Sequence, residues 1–86
     1  MSDNLEFEYK DLHVSVTYNR STNTVKRRVT NTGKVIYEDE LNFDKSLVGN
    51  FDVMGAEEQG KITTAWGAAG IKTRIDDGQF GVKNYS

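Results

Sequence analysis

The chain of 86 residues contains no cysteine and no proline, and its one histidine is His13. Without cysteine there is neither a disulfide scaffold nor a thiolate zinc site. One histidine excludes a multi-histidine metal site within a single chain, which leaves only oxygen ligands for hard cations. The lack of proline weakens any reading as a rigid extended linker and leaves the turns to glycine and to Asn or Asp. An excess of charge of one sign is also missing. Eleven Lys+Arg stand against 13 Asp+Glu, a net charge of -2, so nothing draws the chain strongly to DNA, RNA or anionic lipid. No apolar run approaches the roughly 18 residues needed to span a bilayer. The opening Ser2-Asp3-Asn4-Leu5-Glu6 is acidic and polar and does not read as a secretion signal. A cytoplasmic location without membrane contact is expected, and the sequons at Asn19-Arg20-Ser21 and Asn84-Tyr85-Ser86 are read as coincidental.

What is present fits one domain over 1–86. Hydrophobic residues make up 36% of the chain, and Val, Ile, Phe and Tyr recur along its whole length, so it reads as folded. Leu5, Phe7 and Tyr9 alternate with Glu6 and Glu8, the period of a strand with one face inward. Leu12, Val14, Val16 and Tyr18 alternate in the same way with His13, Ser15, Thr17 and Asn19. After an Asn19–Asn23 turn cluster, Val25, Arg27 and Val29 share a face. Asn31-Thr32-Gly33-Lys34 reads as a second turn, and 35–41 as a fourth strand.

The second half supports two readings. Ile62, Ala65, Trp66 and Ala69 have helical spacing, so an α+β domain with a four-stranded antiparallel sheet and one helix around 56–69 is the alternative. Against it stand Gly60 and Gly67, each costing about 1 kcal/mol relative to alanine in a helix, and the β-branched run Ile62-Thr63-Thr64. Ile62, Thr64 and Trp66 also alternate, as do Ile71, Thr73 and Ile75, and then Phe80 and Val82. Asp77-Gly78 has the form of a tight hairpin turn, and Phe51 with Val53 suggests a further short strand. The preferred expectation is therefore all-β: a small antiparallel barrel or sandwich of seven or eight short meander strands.

The basic run Lys26-Arg27-Arg28 precedes the Asn31–Lys34 turn, and Glu38-Asp39-Glu40 follows it. Pairing Asn31 with Val35 sets Arg28 opposite Glu38, Arg27 opposite Asp39 and Lys26 opposite Glu40. Opposite charges across a strand pair contribute about 0.2–1 kcal/mol each, so the run reads first as a ladder that fixes register. A phosphate-contacting ribbon of Lys26, Arg27, Arg28 and Lys34, with Arg20 nearby, is the competing reading. Arg27 shares its face with Val25 and Val29, and Asp39 shares its own with Tyr37 and Leu41. If that face is the core, the two must pair, because a lone buried charge is prohibitive. If it meets a partner, they are recognition groups.

No arrangement of residues specifies a reaction. His13 is expected on a polar face, and Ser15 beside it lacks the orienting carboxylate of a triad. Asp76-Asp77-Gly78 with Asp52 or Asp44 supplies oxygen ligands but not calcium-loop spacing. Glu57-Glu58 reads as a solvated or docking loop. Gly67–Gly70 lacks the lysine and the spacing of a phosphate loop. Trp66 is a core anchor by default and an interface anchor otherwise. The function expected is a small non-enzymatic binding module acting through protein–protein contact, as inhibitor, adaptor or homo-oligomer subunit, with a protein or itself as partner and no cofactor. Candidate contact residues are Trp66, Tyr37, Arg27, Asp39, Lys26 and Arg28. The alternatives are a nucleic-acid-binding small β-barrel that uses the basic hairpin 20–34, and a small-ligand-binding barrel around Trp66.

Overall fold

The structure is a computed structural model, and it describes residues 3–80. Four strands form one antiparallel sheet in the order β1-β2-β3-β4: β1 (Asn4–Tyr9), β2 (Leu12–Asn19), β3 (Thr24–Asn31) and β4 (Lys34–Asn42). Two 3-10 turns, Lys45–Leu47 and Phe51–Val53, lead into a single helix, α1 (Ala56–Asp76), of 21 residues. The helix lies on one face of an open sheet. This overturns the all-β barrel or sandwich of seven or eight strands. The architecture is α+β, and the helix runs seven residues past the end at 69 expected in the alternative reading.

The strands form where alternation called for them. Leu12, Val14, Val16 and Tyr18 of β2, with Val25 and Val29 of β3, are buried against the helix. The first connection is a two-residue turn at Lys10 and Asp11, both with positive φ (49° and 68°), the twist that suits a tight hairpin. Arg28 faces Glu38, Arg27 faces Asp39 and Lys26 faces Glu40, as charge matching favoured. The tip of that hairpin differs. Asn31 pairs with Lys34, not Val35, and a bulge beside Val29/Thr30 absorbs the extra residue.

Three segments read as strands behave otherwise. Phe51–Val53 is a 3-10 turn. Ile62–Trp66 and Ile71–Ile75 both lie within α1, whose buried positions are Gly60, Thr63, Thr64, Gly67, Ala68, Ile71 and Ile75. These steps of three and four define one helical stripe, filled mostly by small residues. The threonines are accommodated because their hydroxyls donate back one turn, Thr64 to the Gly60 carbonyl at 2.7 Å and Thr73 to the Ala69 carbonyl at 3.1 Å, as helical threonine commonly does. Asp77-Gly78 ends the helix instead of turning a hairpin. Gly78 adopts φ +80°. Its amide bonds the Ile75 carbonyl, and the Gln79 amide bonds that of Arg74, the paired bonds of a left-handed helix stop. Phe80 lies in the turn that follows, with its ring 5.0 Å from that of Tyr37. The remainder of the expected last strand, including Val82, and the Asn84 sequon lie outside the described residues.

Candidate functional site

The helix approaches the sheet most closely over β2 and β3. A Cβ on Gly67 would stand 2.7 Å from a methyl of Val25 and 2.9 Å from one of Val16, so only glycine lets the two layers meet there. The gap beside Gly67 and Gly70 holds the side chain of Arg27, which is 3% exposed. Arg27 donates from Nε to Asp39 Oδ1 at 2.9 Å and from Nη2 to Asp39 Oδ2 at 2.5 Å, while Nη1 points at the Gly67 carbonyl at 3.4 Å. The Tyr37 hydroxyl also donates to Asp39, and Arg74 of the helix donates to Tyr37 Oη at 3.0 Å. Burial alone would raise the Asp39 carboxyl. The hydrogen bonds from Arg27 and Tyr37, with the charge of Arg27, outweigh it and hold the group below its ordinary value. Arg27, Asp39 and Tyr37 thus come together as a bonded cluster that ties sheet to helix.

The other candidates lie elsewhere. Lys26 and Arg28 sit on the opposite, outer face, where they border a small polar hollow with Ser15, Thr17 and Glu38. Arg28 bonds Glu38 from Nε at 2.9 Å and from Nη2 at 2.7 Å. Within the basic run Arg27 is therefore buried, Arg28 is bound to an acid and Lys26 faces Glu40. Trp66 lies half-buried with its ring edge-on to Phe43, centroids 5.2 Å apart. Asp44 caps the first 3-10 turn through Ser46, Asp52 pairs with Lys45, and Asp76 accepts from Lys10 and Tyr9. Among the described residues no group of three or more His, Asp or Glu side chains could hold a metal ion. Glu57 and Glu58 belong to the first turn of α1, not to a loop, where carboxylates suit the helix dipole.

His13 has partners that its sequence context did not reveal. Its Nδ1 lies 2.6 Å from Glu8 and its Nε2 2.9 Å from Glu6, both on the neighbouring edge strand. These carboxylates, Glu8 foremost, raise the pKa of His13 above its ordinary value. Protonation is therefore stabilising below the ordinary histidine pKa, and that contribution is lost as pH rises through the raised one. An NMR titration of this ring should give a midpoint above 6.5, lowered by Glu8→Gln and lowered less by Glu6→Gln. A midpoint unmoved by Glu8→Gln would remove the ion pair.

The surface that sequence reasoning did not single out lies along β1. The helix covers β2 and β3 but leaves the inner side of β1 only partly covered. Leu5, Phe7 and Tyr9 face Ala65, Ala68 and Ala69 across an open groove of about 470 Å³, with Glu8 and Lys72 also lining it. The Lys72 ammonium lies over the Phe7 ring, 5.0 Å from its centroid, and 5.7 Å from that of Tyr9. The signal was available in principle: three apolar residues on a terminal strand, and alanines at 65 and 69 where a fully packed helix flank would carry larger side chains. Among the described residues no helix is long and apolar enough to cross a membrane. The chain matches no protein-family model, no curated protein and no solved structure.

Proposed function

We propose that the protein is a small non-enzymatic binding module that acts through protein–protein contact, with the flank formed by β1 and α1 as its contact face. The observation that carries this reading is the groove between Leu5, Phe7 and Tyr9 on one side and Ala65 and Ala69 on the other. It combines apolar lining, aromatic side chains and a sheet that ends beside it. Aromatic residues in a desolvated recess are where interface energy concentrates, and an open sheet edge is a common docking element for protein partners. The residues first singled out have other partners inside the fold. Arg27, Asp39 and Tyr37 bind one another, and Trp66 packs on Phe43.

Ala65 and Ala69 are exposed, so filling the groove there leaves the core untouched. Ala69→Arg should fold as the parent does, by circular dichroism and urea midpoint, yet lose a partner that the immobilised parent retains from its native cell lysate. Truncating a surface whose hot spots cost 2 kcal/mol or more corresponds to a roughly 30-fold or greater loss of affinity. Equal retention by both proteins would place the contact face elsewhere.

A further inference from the structure

The two sides of β1 also indicate the chemistry of what docks there, given that the protein-binding reading above is correct. The Tyr18 amide donates to the Asp3 carbonyl at 2.8 Å, so that pair is hydrogen-bonded across the β1–β2 ladder. Bonded and non-bonded pairs alternate in an antiparallel ladder. Leu5 opposite Val16 and Phe7 opposite Val14 are therefore bonded to β2, and the amides and carbonyls of Glu6 and Glu8 point to the open side of the sheet. Three devices that blunt an edge are absent from β1: it has no lysine and no proline, and no bulge interrupts its pairing. The charge it does carry is the pair of carboxylates Glu6 and Glu8.

A strand laid along this edge would send alternate side chains to the two faces of the sheet. On the inner face it would meet Leu5, Phe7, Tyr9 and the small Ala65 and Ala69. On the outer face it would meet Glu6 and Glu8, two carboxylates that share the single imidazole of His13. The outer face of β1 stays net negative whether or not that ring is protonated. A second copy of the chain fits poorly. Antiparallel pairing of two β1 edges through their open positions would set Glu6 against Glu6 or Glu8 of the other copy in the registers with most overlap, and like charges directly opposite are unfavourable. We infer that β1 accepts an added strand from a partner protein, an extended segment in which aliphatic residues that enter the groove alternate with lysine or arginine opposite Glu6 and Glu8.

The test uses the full chain, isotopically labelled for NMR, and short acetylated peptides as probes: alternating lysine–valine, alternating glutamate–valine, and a lysine–valine peptide of the same composition with its lysines and valines in separate blocks. The alternating lysine–valine peptide should bind about tenfold tighter than its glutamate counterpart, since each outer position changes from like to opposite charge. It should slow exchange of the Glu6 and Glu8 amides, and its affinity should fall as salt rises. Glu6→Pro removes an outward-facing amide together with one carboxylate, Glu6→Gln removes the charge alone, and Ala69→Arg fills the groove; in a folded protein the proline and arginine variants should abolish binding, while Glu6→Gln should only weaken it. Equal binding of the glutamate peptide or of the block peptide would overturn the charge pattern or the strand, respectively. A dimer of the chain that protects the same amides would overturn the partner in favour of self-association. If no peptide binds, while a cellular partner is still lost on Ala69→Arg, strand addition fails and the protein-binding reading stands. If that partner is instead retained by Ala69→Arg, the reading itself fails.

Discussion

Gly67→Leu is expected to unfold the protein or lower its stability by about 3 kcal/mol or more, although the same change at an exposed helical site would stabilise it. The opposing terms can be weighed. Glycine in a helix interior costs about 1 kcal/mol relative to alanine, so any larger residue gains that much in propensity. A Cβ at this position, however, would lie 2.7 Å from Val25 and 2.9 Å from Val16, both fully buried. Neither valine can withdraw, because β-branched side chains in strands have few alternative rotamers and the layer behind them is the sheet itself. Overpacking a core by even small increments costs about 1–3 kcal/mol, and leucine adds three more carbons beyond the Cβ. Gly67→Ala should accordingly lose up to about 2 kcal/mol net. Gly70→Ala serves as the comparison. Its Cβ would meet only Arg27 Nη1, at 2.8 Å, the end of a flexible side chain and not one of the two nitrogens bound to Asp39. That variant should be close to neutral, its gain in propensity offsetting a small shift of the guanidinium. Urea titrations of the three variants check the order. A Gly67→Ala protein more stable than its parent would mean that the helix does not approach the sheet this closely.

Asp39→Leu is expected to cost about 3–5 kcal/mol, because it leaves the Arg27 guanidinium buried without its counter-ion. Arg27 is almost fully shielded from water. Its side chain is 4% exposed against 19% for Asp39, and it lies beneath Gly67 and Gly70 of the helix. The double variant Arg27→Met with Asp39→Leu should recover most of the loss, since buried ion pairs replaced by apolar groups of similar size are often neutral or better. An additive double variant would mean that the two residues are not energetically coupled. Acid should act on the same pair. The Asp39 carboxyl is held below its ordinary value by Arg27 and Tyr37 in spite of burial. Its contribution is therefore present above the unfolded-state value, about 3.9, and lost as pH falls through the lower folded value. The stability difference between the parent and Asp39→Asn should narrow below about pH 4 and stay constant from pH 5 to pH 7.

The first half of the chain was legible from residue types alone. Strands β1 to β4 follow from apolar alternation with a period of two. The face shared by Val25, Arg27 and Val29 followed from the same count, and it correctly required a partner for Arg27 if that face was buried. The register across β3 and β4 is the one that sets Lys26, Arg27 and Arg28 opposite Glu40, Asp39 and Glu38; charge matching favoured it, although a slip by one or two residues would still leave some cations facing anions. The tip was missed because a bulge beside Val29/Thr30 lets the turn close one residue sooner without disturbing those pairs.

The second half was decided by tertiary contact. Gly60, Thr63, Thr64 and Gly67 count against a helix when propensity is summed residue by residue, and Asp77-Gly78 has the same two residues whether it turns a hairpin or ends a helix. What selected the helix is the surface it lies on. Gly67 meets Val16 and Val25 at a distance that no larger residue allows, and the gap beside it and Gly70 receives the guanidinium of Arg27. Small residues are a helical signal only relative to the neighbour that they admit, and that neighbour is dozens of residues away in sequence. The groove along β1 has the same origin. Leu5, Phe7 and Tyr9 marked an inward face from the start, but whether anything covered that face depended on where a single helix lay across four strands. It lies over β2 and β3, where glycine permits close approach, and its flank of alanines leaves the edge open.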